Sequence, residues 1–540
     1  MTDQTNAQII AKELYAAGVR YVFGQPGGEV VELIEAMAQE GVEFVLMGHE
    51  SAAALAAATL GLATGIPGVC LTTLGPGACN LTLGLGDAWL DRHPMLAISA
   101  RTPDDVPWYN HQRLPLNEMF APITKASIEL TDEGCGEQLR EAIELSLTPP
   151  YGPVYLTIPG PVAALPPAQR EMVVNDPPSP PEIAQPLPDE STFEVISTRL
   201  NQAKRPIVVI GIALDQQKDG AALRDFLAVS GLPYADTPKT KGLVDPNSPA
   251  YLGTYLSASG DRVINRTIQE SDCILGIGYD PVETTYDWQL GDTYYSIANY
   301  STAFGSFTPA EVVGDVTALL NTLQEQYDGT PEWHLDEFAQ IRTEVAAAIS
   351  PGVEHSDRGL APLTVAQTLH KHLPVEAQLT VDTGQHKMIF AQAWQTNTPL
   401  SYFGSNGLSS MGVALPGAIA LALHDRTRPI VCVLGDGCFN SMVQELETIQ
   451  RLDITPLIVV MCDQALSLIR LPQKLRGYPG RGIDFAPVDW AKVAEGYGVQ
   501  GVWVRNVESL GSAVSDWAEA PKATVIAVQV DEALYRGNSY

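Results

Sequence analysis

Two aspartates carry the first chemical signal in the sequence. Asp436 stands between Gly435 and Gly437, directly after the apolar run Ile430 to Leu434, and Asp463, 27 positions on, closes a second apolar run, Leu457 to Cys462. Such runs are the pattern of buried parallel strands, and the interval leaves room for one helix, expected at Asn440 to Leu452. Parallel strands would bring both carboxylates to one carboxyl edge, where open α/β sheets bind ligands. The flanking glycines let backbone N–H groups approach an anion, and the helix behind them adds positive potential. Two carboxylates beside a phosphate require a cation, and Mg²⁺ bridging carboxylates to phosphate oxygens meets both demands.

The elements that position these residues form the last of three α/β units expected in the 540 residues. Strand and helix patterns alternate from Asn6 to about Gly160, giving a first doubly wound domain over 1–165. Eight prolines between 166 and 190 mark a linker. A central domain is expected at 191–330, an acidic, Ala-rich linker at 331–358, and the unit with the two aspartates at 359–540. The fold class is thus three doubly wound parallel-sheet domains. The central unit has no clean G-x-G-x-x-G, so a structural role is expected there.

A net charge of −31 argues against nucleic acid and anionic membranes as partners. It also means that an anionic substrate must be drawn in by local cations. Seven cysteines without a C-x-x-C pair read as buried thiols in a reducing compartment. The opening MTDQTNAQII has neither the basic nor the apolar region of a secretory signal, so a cytoplasmic location is expected.

A further carboxylate, Glu50, follows Gly48-His49 where an apolar strand meets the Ala-rich stretch Ser51 to Leu62. Partial desolvation there would suit it to sharing a proton.

The stretch from Gly435 to Asp463 resembles the diphosphate-binding motif of thiamine diphosphate enzymes, with Cys462-Asp463 where that family has Asn-Asn. The resemblance extends along nearly the whole chain to the acetolactate-synthase-like branch. It is carried by Phe23 to Gly28, Gly75-Pro76-Gly77 with Asn80, Pro122 to Lys125, Asp382-Thr383-Gly384, Ser405-Asn406-Gly407 and Met411 to Pro416. It implies Mg²⁺ ligation by Asp436, Asp463 and the backbone carbonyl of Ala465, with Asp in place of Asn adding negative charge. It further implies cofactor contacts from Gly435, Gly437, Cys438, Ser409, Met411, Pro26, Gly28 and Asn80, with Met411 bending the cofactor. Glu50 would hydrogen-bond the aminopyrimidine. A homodimer or homotetramer with its sites at the interface follows, because in this family the Glu of one subunit serves the diphosphate site of another.

The cofactor would serve a 2-oxo acid, supplying the electron sink for decarboxylation. His111 and Gln112, in the loop Asn110 to Arg113, are the candidate proton relay and substrate-side amide. His386, Lys387 and Arg470, taken as cations facing one pocket, point to a substrate with a second carboxylate. The central expectation is non-oxidative decarboxylation of 2-oxoglutarate to succinic semialdehyde and CO₂. The alternatives are acetolactate synthase, joining two pyruvates, and a cofactor-binding relative that has lost turnover, to which Asp463 and Ser467 in place of the family's Asn and Gly point. Leu471-Pro472-Gln473 departs from the synthases' Q-W-Q. FAD is not favoured.

Overall fold

The computed structural model describes residues 4–107, 109–168, 188–256, 259–284, 293–305 and 307–536. Most of the expected Pro-rich linker lies outside them. The chain packs as two compact units: Met1–Ile183 with Gly407–Arg426 and Met442–Ile454, and Ala184–Asn406 with Thr427–Ser441 and Thr455–Tyr540.

The first unit holds six parallel strands, β1 (Tyr21–Gln25), β2 (Glu43–Leu46), β3 (Gly68–Thr72), β4 (Met95–Arg101), β5 (Ala126–Glu129) and β6 (Pro153–Pro159). Their order is β2-β1-β3-β4-β6-β5. Strands β3, β4 and β6 are buried almost throughout, as expected for the centre of a sheet covered on both faces. The helix Glu50–Thr64 is Ala-rich because it is enclosed: twelve of its residues are buried, and small side chains let neighbours approach. It ends at Gly65, whose φ of 69° is the left-handed conformation that stops a helix without strain. Helix Ala414–His424, from the last third of the chain, packs along it.

The second unit contains two more parallel sheets. The central one comprises β7 (Pro206–Ile210), β8 (Tyr234–Asp236), β9 (Tyr251–Thr254), β10 (Cys273–Ile277), β11 (Tyr294–Ala298) and β12 (Ala310–Val313), in the order β12-β11-β10-β7-β8-β9. The stretch expected as a second linker carries the helix Leu335–Ile349, which buries Phe338, Ile341 and Val345 in the central core. A short antiparallel pair, β13 (His355–Ser356) and β14 (Gly359–Leu360), leads on. The last sheet comprises β15 (Gln378–Val381), β16 (Tyr402–Phe403), β17 (Ile430–Gly435), β18 (Leu457–Cys462), β19 (Gln500–Val504) and β20 (Thr524–Gln529). Its order, β16-β15-β17-β18-β20-β19, repeats that of the first sheet strand for strand. Three doubly wound parallel sheets are thus the architecture. All seven cysteines are free, and among the described residues no helix is long and apolar enough to cross a membrane.

Candidate active site

In the second unit the register of β17 on β18 pairs Gly435 with Met461, so the two strands end level and release Asp436 and Asp463 at the same edge. The chain turns sooner than expected. A helix starts at Asp436 itself and runs to Met442, and a separate helix covers Glu445–Leu452, where one helix from Asn440 to Leu452 was anticipated. Asp436 Oδ2 accepts the Gln464 amide at 2.7 Å. Asp463 Oδ1 accepts the Ala465 amide at 3.2 Å, and its Oδ2 accepts the Ser467 hydroxyl at 2.7 Å.

Asp436 is buried and Asp463 half-buried, and among the described residues neither is paired with a Lys, Arg or His. Burial pushes Asp436 up to about 6. Asp463 is pushed up to about 7, by burial first and by the Asp436 charge second. Two such groups at one edge lack positive charge, so a divalent cation fits them. Among the described residues no group of three or more His, Cys, Asp or Glu is placed to hold a metal, so a third ligand would be a backbone oxygen such as that of Ala465. Beside Asp436 lies a cavity of about 160 Å³, lined by Asn440, Gln464, Phe485, Trp490 and Trp503 among others.

The order of the last sheet reverses between β15 and β17, so its topological switch point lies between Asp382-Thr383-Gly384 and Gly435-Asp436-Gly437. Cys438 faces across it, its thiol donating to the Thr383 carbonyl. His386 is buried at the same place. Its ring lies 3.4 Å from where a Cβ on Gly435 would stand, and among the described residues its Nε2 has no partner. Burial pushes its pKa down to about 4, so the imidazole is neutral near pH 7. With its Nδ1 proton on the Asp382 carbonyl, the neutral ring presents Nε2 beside Gly435 as a hydrogen-bond acceptor.

The expected group of substrate-facing cations does not form. His386 is uncharged. Lys387 is buried, with its Nζ donating to the Ser405 carbonyl. Arg470, on the helix Ser467–Leu475, is held by Asp484 and by Glu532, whose Oε2 lies 2.9 Å from its Nε.

In the first unit Glu50 opens its helix and is 8 % exposed. Its Oε2 accepts the Asn80 side-chain amide at 2.9 Å, and the Ser51 hydroxyl donates to the Asn80 carbonyl at 2.6 Å. A Cβ on Gly77 would stand 3.3 Å from the other Glu50 oxygen, and one on Gly75 would stand 2.7 Å from the Gln112 side chain. Glu50 and Gln112 therefore flank the same turn, Gln112 being exposed and in the left-handed region at φ 61°. His111 beside it is exposed. Pro26 and Gly28 are exposed after β1, across the switch point from that turn. Met411 is 37 % exposed, following Ser409 at φ 52°, and their loop is held by Asp91, which accepts the Gly407 amide at 3.1 Å.

One residue escaped the sequence reading. Glu445 is fully buried, and its Oε2 accepts the Gly48 amide at 3.0 Å and the Thr448 hydroxyl at 2.8 Å. From the same helix Arg451 donates to the Leu46 carbonyl. Together they clamp the backbone that delivers Glu50. A Cβ on Gly48 would stand 2.8 Å from Glu445 Oε1, and this need for glycine before His49-Glu50 was the available signal.

Comparison with known proteins agrees with this geometry. Residues 4–110, 194–323 and 382–528 match the thiamine pyrophosphate enzyme N-terminal TPP binding, central, and C-terminal TPP binding domains respectively. The acetolactate synthase isozyme 2 large subunit of Escherichia coli is 30 % identical, covering 97 % of this chain and 95 % of the relative. The catabolic acetolactate synthase of Raoultella terrigena is 27 % identical, over 98 % and 95 %. The acetolactate synthase of Bacillus subtilis is 27 % identical, over 97 % and 93 %. The chain therefore belongs to the thiamine pyrophosphate enzyme family, as a thiamine diphosphate-dependent enzyme of its acetolactate-synthase-like branch.

Proposed function

We propose that the enzyme is an acetolactate synthase, decarboxylating one pyruvate and joining the two-carbon remainder to a second. The observation that carries this reading is likeness to acetolactate synthases along 97 % of the chain. The case for a dicarboxylic substrate such as 2-oxoglutarate rested on three cations, and these are a neutral imidazole and two side chains already engaged by the protein.

Thiamine diphosphate, when bound, supplies the electron sink that decarboxylation of a 2-oxo acid needs. In this reading Glu50, held by Asn80, shares a proton with the aminopyrimidine. Asp436, Asp463 and the Ala465 carbonyl would hold Mg²⁺, and Gly435, Gly437 and Cys438 would hold the diphosphate. Ser409 and Met411 support the rings, Pro26 and Gly28 line the pyrimidine side, and His111 and Gln112 meet the substrate. Two copies of the chain complete each site.

The test is turnover by purified protein with thiamine diphosphate and Mg²⁺, given pyruvate or 2-oxoglutarate separately, with products identified by mass. Acetolactate from pyruvate is expected. Succinic semialdehyde from 2-oxoglutarate, with pyruvate left unused, would overturn the reading. No product from either would favour a cofactor-binding relative without turnover.

A further inference from the structure

Asp463 is a less selective metal ligand than the asparagine its family carries at this position. An amide has distinct ends, so its carbonyl turns to the cation and its NH₂ away. A carboxylate has two equal oxygens and no such built-in orientation. Something else must fix its rotation, and Ser467 is the side chain in place to do so.

The Ser467 hydroxyl lies 2.7 Å from Asp463 Oδ2 and 3.4 Å from Glu532 Oε2, so its proton goes to Asp463. Glu532 is itself occupied by Arg470, at 2.9 Å. The serine backbone is pinned from the far side, where its carbonyl accepts the Gln385 side-chain amide at 3.0 Å, and its side chain is buried. The short bond is charge-assisted and stronger than the 3.2 Å contact of the Ala465 amide with Oδ1. With one lone pair used on each oxygen, about two of the carboxylate's four acceptor positions stay free for a metal.

We propose that Ser467 is a positioning residue for the divalent cation, fixing the Asp463 carboxylate and so setting how tightly the cation is held. The proposal rests on the metal reading given above, and its test separates the two. The full-length protein is stripped with a chelator, saturated with thiamine diphosphate and titrated with Mg²⁺ by calorimetry. Emission from Trp490 and Trp503, which share the cavity with Asp436, gives a second readout.

Hydrogen-bond partners that orient metal ligands are worth about 10- to 100-fold in affinity, so Ser467→Ala should raise the Mg²⁺ Kd at least about tenfold. The melting temperature of the metal-free protein should fall by no more than a few degrees, the cost of one hydrogen bond. In an Asp463→Asn background the same substitution should cost less than about threefold, because the bond it removes is then between neutral groups. A Ser467→Ala Kd within about twofold of wild type, or an equal loss in both backgrounds, would overturn the proposal. Wild-type binding by Asp436→Ala would instead overturn the metal reading itself.

Discussion

Asn80→Ala is the most informative single substitution, because the structure isolates what it removes. The Asn80 side chain gives Glu50 Oε2 its hydrogen bond at 2.9 Å, while the Asn80 backbone is anchored separately by the Ser51 hydroxyl on its carbonyl. Truncation deletes the first bond and leaves the second, so the turn from Gly75 to Asn80 keeps its shape. A hydrogen bond to a charged group contributes about 1.5–3 kcal/mol, which at 1.36 kcal/mol per tenfold is roughly a 10- to 150-fold loss if all of it acts in the transition state. The loss should fall on kcat, with the Kd for thiamine diphosphate changed less than about threefold, because the diphosphate is held by other residues. Asn80→Asp should be worse, since it sets a second negative charge against Glu50. Steady-state turnover, cofactor titration and a thermal melt measure the three quantities. Wild-type kcat from a folded Asn80→Ala protein would refute the reasoning, provided that Glu50→Gln is inactive. An active Glu50→Gln would remove Glu50 from the chemistry altogether.

Metal removal should make stability depend on pH. Asp436 and Asp463 have folded pKa values raised to about 6 and about 7 from 3.8, so their contribution is fully present below about pH 4 and is lost as pH rises through 6 to 7. Each would account for at most about 1.4 kcal/mol per pH unit over that window. Urea midpoints in a chelator should therefore fall with rising pH more steeply for wild type than for Asp463→Asn, and parallel slopes would contradict this. Glu445→Ala removes the acceptor of the Gly48 amide and should destabilise by about 0.5–1.5 kcal/mol while lowering kcat. An unchanged melt and rate would show that the clamp is idle. Arg470→Ala should leave the KM for pyruvate within about threefold, because the guanidinium already serves Asp484 and Glu532. A tenfold rise would return it to the substrate pocket.

What could be read from sequence depended on how far each residue's partners lie along the chain. Strands β17 and β18 are legible because a strand buried on both faces is an unbroken apolar run, and the acid after each run then lies at the carboxyl edge. Glu50 is legible for the same reason, standing between a strand and a helix too rich in alanine to be exposed. The charges of Lys387 and Arg470 were misread because local spacing does not report their partners: Ser405 lies 18 residues on, and Asp484 and Glu532 lie 14 and 62 residues on. Glu445 left only an indirect signal, the glycine before His49-Glu50, since the backbone amide it binds lies 397 residues away.

The three sheets differ in what lines their switch points. The first and last share one strand order, and each has its switch point flanked by the candidate groups: Pro26 to Gly28 opposite Gly75 to Asn80, and Asp382 to His386 opposite Gly435 to Cys438. The central sheet, β9-β8-β7-β10-β11-β12, has the strand order of a dinucleotide-binding fold, with its switch point between β7 and β10. There the crevice is occupied by the protein itself. The Gly211 amide donates to the Ile277 carbonyl at 3.1 Å, and the Ala213 amide donates to the Gly278 carbonyl at 2.6 Å. Glu283 accepts the Ile212 amide at 2.9 Å and the Thr237 hydroxyl at 2.6 Å. At the last sheet's switch point, glycines suit an anion and two carboxylates, unpaired with any basic side chain among the described residues, suit its cation. Each of the three sheets therefore has a switch point at its carboxyl edge, and the groups that line it differ from one domain to the next.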